Sequence, residues 1–289
     1  MAETKSTATA TTTAKATVAR TDGKPQAKKS NNLVAVLAVP LCFVVALLFY
    51  MYVLGDPSHF AGGIKTGEGV KALDYFGTMY TGGPIVPILL TLFLVVVVFV
   101  FERFFTISKA KGKVKSTEFV RRVQYHLANK NIDAALAECD KQSGSVGNVM
   151  RAGLVKYKEM TTNTDLNTEQ KVLNIQKEIE EATTLELPML EKNLVFLSTI
   201  ASVATLLGLF GTVLGMIRAF KALSDTGGSN STQLAMGIAE ALVNTACGIG
   251  TSFIAIVMYN FFTTNIDSIT YGIDETGYTL TQSFASMYK

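Results

Sequence analysis

Hydrophobic and polar positions divide this chain into four long apolar stretches separated by polar segments of unequal length. The apolar stretches run over about 33–54, 84–101, 194–220 and 236–262. Each comes close to the roughly 20 residues a helix needs to cross a bilayer. The second is apolar on every face from Val95 to Val98 and meets no charge until Glu102 and Arg103, the pattern of a plain lipid-facing anchor. The third and fourth carry small and hydroxyl residues at helical spacing. In the third, Ala201, Ala204, Gly208, Gly211 and Gly215 step by threes and fours and draw one stripe. Ser198, Ser202, Thr205 and Thr212 draw a hydroxyl stripe about 100° further round the helix. Ala241, Thr245, Gly248, Ser252 and Ala255 repeat the pattern in the fourth. Small residues let membrane helices approach closely, which makes Gly208, Gly211, Gly215 and Gly248 packing positions, and hydroxyls bond across such contacts or to water.

The polar segments read differently from one another. Residues 1–32 are rich in Thr, Ala and Lys without apolar periodicity, which predicts a disordered arm; a transit peptide would lack its acidic residues. Segment 55–83 is glycine-rich and reads as a loop with a short helix around 69–76. Segment 102–193 alternates charge with apolar positions at helical spacing, as at Phe119, Val123 and Leu127 and then Ile132, Leu136 and Cys139. A turn over Gly144–Gly147 leads to Val149, Leu154 and Tyr157, so short antiparallel helices joined by turns are expected. Asn163 to Asn167 supply a cap for a longer helix with Val172, Ile175, Ile179, Ala182 and Leu185 as its apolar seam. With no stop before Asn193, that helix is expected to run on into the third span as a stalk, kinked at Pro188. Its charges read as a solvated face.

Composition agrees with a membrane chain: 48% of the 289 residues are hydrophobic and 17% charged. The net charge of +3 is too mild to argue for nucleic acid. With the N-terminus inside the cell, 55–83 and 221–235 fall outside, and 102–193 and 263–289 fall inside. About 22 of the 26 lysines and arginines then lie on the inner side, as the positive-inside tendency requires. Lys5, Lys15, Arg20, Lys24, Lys28 and Lys29 weigh most, because the arm is short. The first stretch is longer than a signal-peptide core and has no small-residue cleavage pattern after it, so it is read as a retained anchor; a mature chain starting near Gly55 would contradict that. Cys42, Cys139 and Cys247 form no framework, and no zinc motif appears, so neither disulfides, metal nor cofactor is expected. The predicted fold is an all-α membrane protein of about four spanning helices with a helical cytoplasmic domain.

One position stands out. Glu240 is the single carboxylate in the third and fourth stretches, and an ionisable residue within a span is costly enough to mark a candidate functional site.

The third and fourth stretches resemble the ExbB/TolQ/MotA family of proton-driven motor channels, its ExbB branch most closely. The resemblance rests on Gly208-Leu209-Phe210-Gly211-Thr212-Val213-Leu214-Gly215-Met216-Ile217 and on Gly237-Ile238-Ala239-Glu240-Ala241-Leu242-Val243-Asn244-Thr245-Ala246, with Tyr259-Asn260 closing the fourth stretch. It covers about 194–262 firmly and 102–193 loosely, and leaves out the N-terminal arm. It implies an inner-membrane ring, of five copies, around the single spanning helices of an ExbD-like partner that carries a protonatable aspartate. Thr212 and Thr245 would line the pore and Glu240 would be a third functional position. A TonB-like protein would carry the resulting work to outer-membrane transporters. Two features depart from the pattern. ExbB and TolQ usually have three spans and an outside N-terminus, while four spans match the MotA branch; the glutamate motif favours ExbB and TolQ. Arg218 stands where relatives are often neutral or carry histidine, so no role carries over to it.

Helical geometry adds a constraint. Thr212 and Thr245 come to similar depth if the third and fourth helices pack antiparallel, where their hydroxyls can hold water beside a partner carboxylate, or simply bond their own helix carbonyls. Glu240 lies five residues before Thr245, about 140° round the helix. It is therefore expected to face a neighbouring helix or subunit, beside Asn244 and Thr251, as a proton-uptake site or as a structural carboxylate paired with Arg218. A sodium-driven stator, a small-solute transporter and a passive scaffold are the rival functions. The transporter lacks the inverted repeats and broken helices such proteins show, and no nucleophile–base set suggests an enzyme.

Overall fold

The computed structural model describes residues 33–63, 72–225 and 231–288; the arm over 1–32 lies outside them. Helix α1 (Leu33–Leu48) continues as a π-helical turn over Phe49–Leu54, and short 3-10 turns lead to α2 (Tyr75–Tyr80). Then follow α3 (Val86–Ala110), α4 (Ser116–Ala128), α5 (Ile132–Gln142), α6 (Gly144–Thr162), α7 (Thr168–Glu191), α8 (Leu194–Asp225) and α9 (Ser231–Met287). The chain is an all-α, multi-pass membrane protein with four helices long and apolar enough to cross a bilayer. Those helices pack with α1 on α3, and α3 on both α8 and α9. The end bearing the 55–85 connection is called here the loop end, and the other the domain end.

Several elements differ from the sequence reading, each for a local reason. Of the short helix expected around 69–76, residues 69–71 lie outside the described residues and 72–74 are not helical; the helix runs over Tyr75–Tyr80, because Asp74 caps it: its Oδ1 accepts from the Gly77 N–H at 2.9 Å. That bond and the His59 ring hold the Asp74 carboxyl below the usual carboxylate range. Gly144 begins α6 and Gly147 lies inside it, so the turn shrinks to Ser143 and Gly144. Leu185 points outward, while Ile175, Ile179 and Ala182 are buried. Asn167 caps α7 in a reciprocal capping box with Gln170. Most consequential is the boundary between α7 and α8. The two are not one stalk: Asn193 takes a left-handed φ of 67° after Lys192 and ends the run, a conformation asparagine tolerates better than most residues. Conversely α9 does not stop at 262. It runs from Ser231 to Met287, 57 residues in all, about 85 Å at 1.5 Å per residue, and its domain-end half packs against α4, α6 and α7.

The α4–α7 domain is built around that extension. Tyr157 of α6 meets the Phe284 ring edge-on at 4.8 Å, and Phe284 stacks on Tyr288 at 4.7 Å. Gly153 lets α6 approach Ile179 and Leu280 closely. Cys139 is buried here, and burial pushes its thiol up to about 12, so it behaves as a small apolar residue. Two devices tie the domain to the spans. Arg103, buried near the end of α3, donates to the Leu190 carbonyl at 3.1 Å and grips both oxygens of Glu102. Asn193 Nδ2 bonds Glu102 as well, at 3.2 Å, so one cluster holds the α7–α8 break to α3. Beyond α3, the Gln142 side chain bonds both backbone groups of Val114, accepting from its N–H at 3.1 Å and donating to its carbonyl at 2.7 Å. Gln142→Ala is expected to lower stability by about 1–2 kcal/mol, read as an earlier thermal transition of the detergent-solubilised chain.

Candidate functional site

Helices α8 and α9 run antiparallel along a seam of small residues. A Cβ added at Gly215 would lie 2.8 Å from the Ala241 nitrogen, one at Gly237 2.7 Å from Ala219 Cβ, and one at Gly248 2.6 Å from the Ala204 carbonyl oxygen. The backbones therefore touch directly, and the seam has room for hydrogen on these carbons and little else. Gly208 faces Asn244, Thr245 and Gly248, and Gly211 faces the Asn244 side chain. The stripe over Ala201, Ala204, Gly208, Gly211 and Gly215 is buried throughout, while Ser198, Ser202 and Thr205 beside it are exposed.

This register puts Thr212 and Thr245 within about one helical turn of each other along the seam, each half-buried. Thr212 Oγ1 donates back to the Leu209 carbonyl of its own helix at 2.5 Å. Thr245 Oγ1 instead reaches across to the Gly208 carbonyl at 3.4 Å. Each hydroxyl has spent its one proton, and each oxygen keeps lone pairs for a further donor. Toward the domain end, Ser198, Ser202, Thr205, Ser252 and Tyr259 line a groove of about 480 Å³, and Ser252 closes one wall by donating to the Ala201 carbonyl at 2.5 Å. Around these polar positions Leu206, Leu209, Phe210, Val213, Leu242, Ile249 and Phe253 are exposed, a surface that a single chain leaves to lipid or to other polypeptides.

Glu240 faces away from Thr245, into the protein. It is buried together with Asn244 and Thr251 on one side of α9, and Arg218 of α8 donates to its Oε1. The pair is asymmetric: the Glu240 side chain is 9% exposed and that of Arg218 49%. The other side of the carboxylate is covered by the Gly82–Gly83 turn that precedes α3. Gly83 has a φ of +75°, and a Cβ there would lie 2.5 Å from Glu240 Oε1 and 3.2 Å from Arg218 Nη1. One residue earlier, the Gly82 carbonyl accepts from Asn244 Nδ2 at 2.9 Å. The other amide atom of Asn244, Oδ1, is buried without a hydrogen-bond partner among the described residues, which costs about 1–3 kcal/mol. The turn is anchored from behind: Tyr80 stacks on Tyr50 at 4.7 Å, and the Tyr50 hydroxyl donates to the Tyr80 carbonyl at 3.1 Å. Tyr50 lies in the π-helical end of α1. Among the described residues no three His, Cys, Asp or Glu side chains gather as metal ligands would.

Residues 142–275, which include α8, most of α9, Thr212, Thr245 and Glu240, match the model of the MotA/TolQ/ExbB proton channel family. Over that stretch, a little under half of its length, the chain is similar to the MotA/TolQ/ExbB proton channel family. Relatives agree. The chain is 41% identical over 88 residues to the Tol-Pal system protein TolQ of Haemophilus influenzae, covering 30% of this chain and 39% of that one. It is 32% identical over 123 residues to TolQ of Pseudomonas aeruginosa, covering 43% and 53%. It is 41% identical over 73 residues to the biopolymer transport protein ExbB of Salmonella typhimurium, covering 25% and 30%. These matches span about half or less of the relatives' lengths. The family match leaves out α1, α2, α3 and the Gly82–Gly83 turn. In the sequence that turn is only part of a glycine-rich loop. Its one signal was a pair of adjacent glycines before Pro84 at the mouth of a span, which marks a close backbone approach without naming what is approached.

Proposed function

We propose that the chain is the proton-conducting stator subunit of an ExbB–ExbD-type motor in a bacterial inner membrane, with its N-terminus and α4–α7 domain on the cytoplasmic side. The reading is carried by one observation above the family match: a close-packed helix pair holds two half-exposed threonines within about a turn of each other, on a surface otherwise apolar. In this reading several copies, five by the resemblance, pack side by side and turn the Thr212 and Thr245 hydroxyls toward an enclosed, hydrated cavity. A single-span, ExbD-like partner places a protonatable aspartate there. The hydroxyl oxygens solvate that carboxylate in both of its protonation states without adding a fixed charge, so a proton can arrive and leave with little reorganisation. Entry of protons down their gradient turns ring and partner relative to each other, and a TonB-like protein carries the work to outer-membrane transport.

A TolQ-like role in envelope maintenance is the second reading, favoured by relatives named TolQ. Complementation separates the two: rescue of gradient-driven import supports the first, and rescue of detergent resistance alone supports the second. The stator reading itself is tested by replacing Thr212 and Thr245 together with Val, which keeps shape and removes both hydroxyls. Proton-driven work should fall at least about tenfold, the loss of more than 1.4 kcal/mol of ion stabilisation, while the double Ser variant retains most of it. Full activity in the double Val variant, with normal assembly, overturns the reading.

A further inference from the structure

The Gly82–Gly83 turn touches the two helices of the candidate pore at the Arg218–Glu240 ion pair, whose carboxylate is buried. It comes from the part of the chain that the family match does not reach. We propose that this turn is a seal over the loop end of the ion route, seated on Glu240 and held by Arg218 and Asn244 as positioning residues. The proposal rests on the stator reading and adds to it the device that closes the Glu240 side.

Three observations carry the argument. The first is fit. Gly83 lies against the carboxylate and the guanidinium with room for no side chain, in a left-handed conformation that glycine adopts without strain. Gly82 is as tight on its other side, where a Cβ would lie 2.5 Å from Val86 Cγ2 and 2.8 Å from Val243 Cγ1. A methyl group at Gly82 would press on Val86 of α3 and Val243 of α9, and one at Gly83 would displace the Glu240 carboxylate and the Arg218 guanidinium. The second is that the contact is held by polar bonds where apolar packing would have served. Asn244 donates to the Gly82 carbonyl, and Arg218 fixes the carboxylate on which Gly83 rests. The third is the unpaired Asn244 Oδ1. The closed arrangement satisfies one half of the amide and strands the other, so lifting the turn, which admits water, loses one bond and satisfies the stranded acceptor. Such a contact is poised between two states, unlike a fully satisfied core, and a ligand or neighbouring subunit that touches the half-exposed Arg218 can bias it. The turn's own backbone covers the other side of the carboxylate, and Arg218 is the one cation paired with Glu240 among the described residues.

Val243 is half-buried and lies against Gly82, and the seal predicts that water reaches it slowly. In native membranes, a Val243→Cys variant of the full chain is treated with a water-soluble maleimide, and labelled positions are read by peptide mass spectrometry, with buried Cys139 as the internal reference. Labelling at position 243 should be slow, and should accelerate about tenfold or more when Gly83→Ala or Arg218→Gln is added, as expected when a local opening becomes cheaper. Gly62→Ala is the control, since Gly62 shares the left-handed φ of +71° but has nothing within 4 Å of an added Cβ; it should leave the rate unchanged. Rapid labelling of Val243→Cys alone, or no acceleration by either variant, overturns the seal, as does equal acceleration by Gly62→Ala. If Gly83→Ala also exposes Cys139, the domain has come apart and Arg218→Gln decides. The measurement needs no gradient and no partner, so its failure leaves the stator reading standing. Failure of the threonine test leaves the labelling result standing in turn.

Discussion

Gly248→Val is expected to cost the chain about 3 kcal/mol, the upper end of what overpacking a close contact does. The first carbon of the new side chain would lie 2.6 Å from the Ala204 carbonyl oxygen and 2.8 Å from Gly208 Cα. Both obstacles are backbone, which cannot rotate aside as a long side chain would. The branched valine then adds two methyl groups with no free rotamer. Relief requires α8 and α9 to separate along their seam, giving up the contact that the other glycines make. The separation would also break the Thr245–Gly208 bond and uncover Asn244, so the damage extends from packing to the candidate site. The check is the thermal midpoint and yield of detergent-solubilised variant beside Gly250→Ala. Gly250 lies two residues on, and an added Cβ there meets nothing within 4 Å. That variant should stay within about 0.5 kcal/mol of the parent. Equal behaviour of the two would mean that the seam is not close-packed.

Arg218→Ala should be the more damaging half of the ion pair, by about 3 kcal/mol against about 1 kcal/mol for Glu240→Ala. Removing one member of a buried pair is costly because the other charge is left buried without compensation. Here the members differ in burial: Glu240 is 9% exposed and Arg218 is 49%. An orphaned guanidinium can turn to the surface and recover its hydration, so the loss of Glu240 falls in the range of a partly exposed pair. An orphaned Glu240 has no such escape, enclosed by the Gly82–Gly83 turn on one side and α8 on the other. The double variant should be less destabilised than the two losses added together, since neither charge is then stranded. A double-mutant cycle on thermal stability measures all three. Equal single costs would show that Arg218 is held as tightly as its partner.

The helix seam was legible in advance because it is periodic. Gly208, Gly211, Gly215 and Gly248 recur at the spacing of one helical face, and a face made only of small residues has no use on a lipid surface. The capping box at Asn167 and Gln170 was half visible for the same reason, since it needs residues a fixed distance apart along the chain. The α7–α8 junction was not legible. A single asparagine in the left-handed region ends α7, and what holds it there is Arg103, some ninety residues away in sequence, bonding the Leu190 carbonyl. The continuation of α9 past 262 was missed because the residues that bury it, such as Tyr157 and Ile179, belong to other helices, while its own stretch is too polar to read as a core.

The sequence by itself determined that the chain is helical and crosses a membrane, which stretches are apolar, and which face of the third and fourth spans is small. These are local properties, set by side-chain size, polarity and spacing along one helix. Only the tertiary structure decided what Glu240 meets. The side chain could be placed about 140° from Thr245 by counting residues, but its environment is made by Arg218 and by Gly82 and Gly83, more than 150 residues earlier in the chain. The carbonyl that Asn244 bonds and the oxygen it leaves unpaired depend on how α3 enters against α9. A sequence specifies which groups must be satisfied when buried; the distances between helices decide which of them are.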